Sequence, residues 1–185
     1  MRRIILAFIA ILISFLFNVK NVSAANIAGV SATISYNLAN NNKNDELFLK
    51  KIVIERVLTK YSSPLKDEAD SFVKTCASYN LDCYLLPSIT GVESTFGKFI
   101  LNGSYNPFGW DRGLFMFNNW SQGIDTVGHG IRENYINKGA TTVDEIGSIY
   151  CEGNTWAGKV KLFMNEFQKE EEKINLFFTE DKVEL

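Results

Sequence analysis

Hydrophobic and polar positions recur with a helical period over most of the chain after residue 46. The clearest segment lies between residues 64 and 78. Its apolar positions follow the spacing i, i+4, i+7, i+8 and i+11, which places them on one helix face, and they are Leu65, Ala69, Phe72, Val73 and Cys76. Ser63 is a suitable cap for this helix and Pro64 suits its first position, so the pattern predicts a helix that begins there.

The same period predicts five further helices. They cover residues 46–61, 82–96, 121–139, 142–150 and 155–167. Asp82 and Ser121 are the predicted caps of two of them, and Thr142 with Glu145 has the spacing of a capping box. The chain is therefore predicted to form an all-α (mainly α) domain.

Residues 97–120 interrupt this pattern with four glycines, one proline and several asparagines. The segment is predicted to be one long loop or a short hairpin, and it is rich in aromatic residues. Loops of this length inside a compact domain are usually functional.

The first 24 residues have the order of a secretory signal peptide, with a positive start, an apolar run and a small-residue end at Val22-Ser23-Ala24. The alternative is an uncleaved membrane anchor, for which the apolar run is short. Either interpretation predicts export, to the cell envelope or to the medium. Residues 25–45 are Asn-rich and are expected to be a flexible arm or linker, with a short strand at 32–36 as an option. The domain itself is assigned to 46–170, and 171–185 to a charged, solvated helical tail.

The chain has 19 basic and 21 acidic residues, for a net charge of −2. Cleavage after residue 24 would remove three basic residues and no acidic ones, so the mature chain would carry −5. This acidic balance and the lack of a basic stripe argue against a nucleic-acid partner. An anionic polymer would have to be bound by short-range contacts.

Three cysteines are present in a chain that is predicted to be exported. Cys76 and Cys83 flank a turn and are the favoured disulfide pair, while pairing of Cys76 with Cys151, or three free thiols, remain open alternatives. With one histidine, His129, the chain cannot assemble a Cys/His zinc cluster of any usual spacing, so no metal is expected. His129 itself is interpreted as structural or solvent-facing.

The segment LLPSITGVESTFGKF, residues 85–99, places a single carboxylate, Glu93, among apolar and small residues. Glu93 falls on or beside the apolar face of its predicted helix, and Phe96 at i+3 is expected to cover it. Partial burial would raise the pKa of the carboxyl, as a general acid near neutral pH requires. The alternative is a surface glutamate near a helix end.

Aromatic and amide side chains follow Glu93 in the loop. Aromatic faces stack on sugar rings and amides pair with hydroxyl groups, so a cleft of this composition beside a shielded carboxyl is suited to cleaving a glycosidic bond. Trp110 and Tyr105 are the favoured cleft residues. For three other aromatic residues of this segment core packing is the favoured interpretation, and they are Phe115, Phe117 and Trp120.

Four segments occur in an order that resembles the lysozyme-like superfamily, and most closely its bacterial glucosaminidase domains, with lytic transglycosylases and goose-type lysozymes as relatives. The segments are LLPSITGVESTFGK, GSYNPFGW, FNNWSQGIDTVGHGIRENYINKG and IYCEGNTWAGKV, and the resemblance as a whole covers roughly residues 60–167. The resemblance implies a lysozyme-like fold and Glu93 as the catalytic acid. Ser94 would orient this carboxyl or bind sugar, and Tyr150 corresponds to a late active-site tyrosine.

The loop segment matches the substrate groove of these domains, with Asn106, Phe108, Gly109 and Trp110 in addition to Tyr105 as the implied sugar-binding residues. Asp111 is the first choice for a second carboxylate, ahead of Asp125, Glu133, Glu145 and Glu152.

The implied activity is a glycoside hydrolase of the endo-β-N-acetylglucosaminidase or lysozyme type. It would cut β-1,4 bonds of peptidoglycan strands as a monomer, without a cofactor. The alternatives are a lytic transglycosylase, which gives 1,6-anhydro products, and a catalytically silent glycan-binding module of the envelope. Phe117 stands where the transglycosylases have Gln, which weakens that alternative.

Overall fold

The computed structural model of the protein describes residues 24–150 and 155–180. The predicted signal peptide, Cys151 and Glu152 lie outside these residues, apart from the last residue of the signal segment. The chain divides into two compact units, residues 1–43 and 44–185. Among the described residues, no helix has both the length and the hydropathy needed to cross a membrane.

The described residues form six α-helices and two short 3-10 helices. In chain order the α-helices are α1 (Ala24–Lys60), α2 (Ala69–Tyr79), α3 (Leu85–Ser94), α4 (Trp120–Asn134), α5 (Val143–Tyr150) and α6 (Trp156–Glu180). The 3-10 helices are Lys66–Glu68, before α2, and Ile136–Lys138, after α4. Neither described range contains a β-strand, so the predicted all-α class is confirmed.

Several predicted boundaries differ from the structure. Residues 32–36 belong to helix α1, so the strand considered there is wrong. Helix α2 begins at Ala69 because the chain first turns at Ser63, whose Oγ accepts a hydrogen bond from the Leu65 amide at 2.9 Å. Helix α4 is capped by Asn119, whose Oδ1 accepts from the Gln122 amide at 2.8 Å, and not by Ser121. The assignment of residues 25–45 to a flexible arm stays a prediction.

The capping box at the start of α5 is confirmed. Glu145 Oε2 accepts from the Thr142 amide at 2.8 Å, and the Glu145 amide donates to Thr142 Oγ1 at 3.2 Å. These reciprocal bonds satisfy amides that a helix start would otherwise leave unpaired, which fixes where α5 begins.

The core of unit 44–185 is built by helix pairs in which α2 packs on α4, and α3 and α5 pack on α6. Cys76 and Cys83 form a disulfide across the turn between α2 and α3, with their Cα atoms 5.0 Å apart, as predicted.

Helix α6 continues through residue 171, where Glu171 binds Lys50 of α1 at 2.9 Å and accepts from the Tyr84 hydroxyl at 2.9 Å. Ile174 is buried, so the first part of the predicted tail packs against the domain instead of being fully solvated.

The crossing of α2 and α4 depends on the absence of a side chain at Gly128. A Cβ atom placed there would lie 2.2 Å from Thr75 Cγ2 and 3.2 Å from Leu86 Cδ1, and both of these side chains are buried. We expect Gly128→Ala to lower the free energy of unfolding by about 1–3 kcal/mol, because the two helices must separate. Gly158→Ala on α6 is the control, since nothing lies within 4 Å of its Cβ position. That variant should gain about 0.5–1 kcal/mol from helix propensity. Urea unfolding of both variants measures the difference, and equal stabilities would contradict this packing.

Candidate active site

Glu93 is placed by an abrupt end of helix α3. After Ser94 the backbone takes positive φ angles of 51° at Thr95, 58° at Phe96 and 81° at Gly97. Such angles are rare for residues other than glycine, and they persist only where the surrounding structure holds the backbone in place. The Ser63 hydroxyl, which donates to the Phe96 carbonyl at 2.7 Å, is one of the contacts that hold this turn. Glu93 therefore lies in the last turn of a helix that is otherwise mostly buried.

Ser94 joins the end of α3 to the following loop. Its buried Oγ lies 2.7 Å from the Pro107 carbonyl oxygen and accepts from the Gly97 amide at 2.9 Å. The Ser94 hydroxyl is therefore already hydrogen-bonded to other groups of the protein. The structure thus gives Ser94 a positioning role beside Glu93 and lends no support to sugar binding by its hydroxyl.

The aromatic loop is irregular throughout, so of the two predicted forms the structure has the loop and not the hairpin. Asn106 organises it from a buried position. Its Nδ2 donates to the carbonyl oxygens of Trp110 at 2.8 Å and Phe115 at 3.2 Å, and its Oδ1 accepts from the Trp110 amide at 3.0 Å. These three bonds close a turn over residues 106–115. Asn106 therefore shapes the groove in which it was predicted to bind sugar.

Trp156 and Gly109 lie against the two oxygens of the Glu93 carboxyl. Trp156 at the start of α6 donates its Nε1–H to Glu93 Oε1 at 2.6 Å. Gly109 lies against the other oxygen, since a Cβ atom at Gly109 would be 3.3 Å from Glu93 Oε2. Phe96 was expected to cover Glu93, but it is fully buried in the core, with its ring 4.4 Å from that of Tyr61. Trp156 was not among the predicted site residues.

The pKa of Glu93 is raised above its ordinary value. Burial of the carboxyl is the largest cause, although the residue as a whole remains exposed to solvent at the cleft. The hydrogen bond from Trp156 and the positive charge of Lys159 act in the opposite direction and lower the pKa by less than burial raises it. The carboxyl therefore holds its proton to higher pH than an ordinary glutamate does, as a general acid requires.

Two cavities meet at Glu93. Cavity A has a volume of about 420 Å³, and its lining residues are Glu93, Phe108, Gly109, Trp110, Asp111, Arg112, Tyr135 and Tyr150. Cavity B has a volume of about 440 Å³, and its lining residues are Glu93, Ser94, Phe99, Ile100, Leu101, Asn106, Gly109, Arg112, Gly113 and Leu114. Glu93, Gly109 and Arg112 line both cavities. A long ligand that filled both would cross the carboxyl.

The wall of cavity A is aromatic. Tyr150 stacks on Trp156 with ring centroids 4.8 Å apart, and its hydroxyl donates to the Phe108 carbonyl at 2.8 Å. Tyr135 lies beside Tyr150 at 6.1 Å between centroids. The Trp110 ring, which belongs to the loop, packs against helix α4, since a Cβ atom at Gly130 would be 2.9 Å from Trp110 Cη2. This wall offers ring faces and edges of the kind that bind sugar rings.

Asp111 and Arg112 form an exposed turn at the mouth of the site. Both are non-glycine residues with positive φ, 50° and 56°. Asp111 shares cavity A with Glu93, and among residues 24–150 and 155–180 no other acidic residue lines this cavity. The other candidates for a second carboxylate that the structure describes include Asp125, which accepts from the Tyr79 hydroxyl, and Glu145, which is used in the capping box. Asp111 thus remains the first choice.

The structure brings most of the predicted site residues together around Glu93. Those that line at least one of the two cavities are Ser94, Asn106, Phe108, Gly109, Trp110, Asp111 and Tyr150. Tyr105 lines neither, because its ring packs edge-on against Trp120 at 5.1 Å. Phe117 is buried as expected, but Phe115 is 43% exposed, so core packing was wrong there. His129 is exposed and packs against Tyr79.

The hydrogen bond from Trp156 predicts a measurable pH effect. Trp156→Phe keeps an aromatic ring against Tyr150 but removes the donor that lowers the pKa of Glu93. If Glu93 is the essential acid, activity falls as pH rises through its pKa, so this variant should move the alkaline limb of kcat/KM to higher pH.

Lys159→Gln is the companion variant, because it removes the positive charge that also lowers the pKa of Glu93. Lys159 is exposed, so its effect should have the same direction and shrink as salt is added, whereas that of Trp156→Phe should persist. Profiles of kcat/KM against pH on a glycan substrate at two salt concentrations measure both effects. An unmoved alkaline limb in both variants would show that Glu93 is not the titrating acid.

Comparison of the chain with models of protein families gives no match, and a search of curated proteins gives none either.

Proposed function

We propose that the protein is a peptidoglycan hydrolase that cleaves β-1,4 bonds between N-acetylglucosamine and N-acetylmuramic acid. The observation that carries the proposal is Glu93, a carboxyl with a raised pKa at the junction of two adjoining cavities. A glycan strand that occupied both cavities would place a glycosidic oxygen beside this carboxyl. Glu93 would protonate that oxygen as the bond breaks.

Each neighbour of Glu93 has a role in this mechanism. Trp156 holds one carboxylate oxygen at 2.6 Å, which leaves the other, Oε2, on the side of Gly109. Both cavities border Gly109, so a bulkier residue there would narrow the path of the strand. In this account Oε2 carries the proton and faces the leaving oxygen.

Asp111 is proposed as the second carboxylate. It lines the same cavity as Glu93, where it would stabilise the positive charge that develops on the sugar or activate the attacking water. The aromatic wall of cavity A, formed by Trp110, Tyr135 and Tyr150, would hold the sugar rings. This division of labour needs no cofactor.

The substrate class rests on the resemblance of the four sequence segments to glucosaminidase domains and on the signal peptide predicted at residues 1–24. An exported glycosidase would meet peptidoglycan in the envelope or outside the cell. The lysozyme-like fold is part of the same proposal.

Digestion of purified peptidoglycan by residues 25–185, followed by mass spectrometry of the products, tests the proposal. Reducing-end N-acetylglucosamine would identify a glucosaminidase, and reducing-end N-acetylmuramic acid a muramidase. Anhydro ends would contradict hydrolysis and identify a transglycosylase. If glycan is bound but no product is released from several peptidoglycan types, the protein is a binding module and the proposal is wrong.

A further inference from the structure

Arg112 is a charged residue of the site to which the proposed mechanism assigns no role. It lines both cavities beside Glu93, and it is exposed. Its guanidinium forms no ion pair or hydrogen bond with any residue of the described ranges. A cation in a cleft that already holds Glu93 and Asp111 would be expected to pair with one of these carboxylates. Arg112 instead stays available to a ligand.

The backbone also indicates a ligand-binding role. Asp111 and Arg112 are consecutive residues with positive φ, a conformation that costs free energy for side chains with a Cβ atom. The turn is held by hydrogen bonds from the Gly113 amide to the Gly109 carbonyl at 3.0 Å and from the Leu114 amide to the Asp111 carbonyl at 3.0 Å. Strain of this kind concentrates at sites where a side chain must face a ligand.

Exposed apolar side chains also line cavity B, beside the polar groups that make up the larger part of its surface. The large apolar side chains that line this cavity and remain exposed are Phe99, Leu101 and Leu114, at 76%, 52% and 66% of their surface. Phe99 could stack on a sugar ring, but a plain sugar chain has little use for the aliphatic side chains of Leu101 and Leu114. A substituent that carries methyl groups next to a carboxylate would use both the apolar side chains and the guanidinium.

We propose that Arg112 binds a carboxylate on the substituent of N-acetylmuramic acid, so that the enzyme selects muramic-acid-containing strands over uncharged β-1,4 glycans. This inference rests on the proposed function. The planar guanidinium offers paired N–H donors that match a carboxylate. It also supplies locally the positive charge that a mature chain of net −5 lacks overall.

The carboxylate has two possible sources, which three ligands separate. Intact peptidoglycan carries carboxylates on its stem peptides. Strands stripped of peptide by an amidase carry the free lactyl carboxylate, and chitin oligomers carry none. Arg112→Gln should weaken the use of a carboxylate-bearing glycan relative to chitin by about tenfold or more. A loss on intact strands alone assigns the peptide, and a loss on stripped strands alone assigns the lactyl group.

Two matched variants complete the test. Lys98 is an exposed cation of the same loop, but it lines neither cavity. Lys98→Gln should therefore change the use of all three ligands to the same extent. Arg112→Lys keeps the positive charge but lacks the paired N–H donors of the guanidinium. Its preference for carboxylate-bearing glycans should therefore lie between that of wild type and that of Arg112→Gln. An equal change on all three ligands in Arg112→Gln would overturn the inference.

Binding measured by calorimetry in a Glu93→Gln background keeps this test independent of the proposed function. If wild type cleaves no glycan, the proposed function fails, but preferential loss of carboxylate-bearing strands in Glu93→Gln/Arg112→Gln would still support the role of Arg112. If wild type cleaves and the calorimetry shows no such preference, the inference alone is wrong. If wild type cleaves no glycan and no ligand binds in the Glu93→Gln background, both fail.

Discussion

Glu93→Gln should reduce glycan cleavage by on the order of 10³-fold, the range that loss of a general acid produces. The amide keeps the size of the side chain and retains an oxygen that can accept the Trp156 hydrogen bond. What it loses is the proton that the leaving oxygen requires. Release of reducing ends from peptidoglycan measures the effect. Glu133→Gln, the same change at an exposed position on α4, is the control and should keep full activity.

The same variant should not lose stability. Burial disfavours the charged form of Glu93, so its pKa is higher in the folded than in the unfolded protein. The folded state then binds more protons between the two pKa values, and the stability of wild type falls as pH rises through that window. Glu93→Gln removes this contribution, so at neutral pH it should be at least as stable as wild type. A large loss of stability would mean that the carboxylate is structural.

Asn106→Ala should affect stability and activity together. It leaves the carbonyl oxygens of Trp110 and Phe115 and the amide of Trp110 without their present partner, in a partly buried turn. Unsatisfied buried groups of this kind cost about 2–3 kcal/mol in the free energy of unfolding.

The turn that Asn106 closes carries Asp111 and Arg112, so its loosening should also lower cleavage by on the order of 10²-fold through misplacement of the groove. Asn102→Ala is the control, because Asn102 is exposed in the same loop, and it should stay within about 0.5 kcal/mol of wild type. Urea unfolding and the cleavage rate are the two readouts. Normal activity in Asn106→Ala would show that the groove does not depend on this turn.

The helices could be predicted because their signals are local. The capping box at Thr142 and Glu145 and the single apolar face of α2 depend on residues within one or two turns, and the structure confirms both. The exact ends depended on longer contacts. The turn that follows α3 is held in part by the Ser63 hydroxyl, which donates to the Phe96 carbonyl from more than thirty residues earlier, and no local pattern contains that contact.

The candidate site divides in the same way. Glu93 could be found from one carboxylate in an apolar segment and Trp110 from its place in the loop, whereas Gly109 was implied only by the resemblance to glucosaminidase domains. Trp156 could not be found from the sequence, because its spacing is that of a core residue on α6. Its hydrogen bond to Glu93 joins positions 63 residues apart. Arg112 was missed for another reason. Arg112 is one of five arginines in the chain, and no sequence pattern distinguishes it from the others. Its role is suggested only by the fold, in which it lines both cavities.

The most direct test of the central claim is cleavage of peptidoglycan in water enriched in oxygen-18. Hydrolysis assisted by Glu93 predicts that wild type adds one oxygen-18 atom to the new reducing end for each bond cut, and that Glu93→Gln forms almost no product. Products without the label, or equal labelled product from Glu93→Gln, would contradict the account.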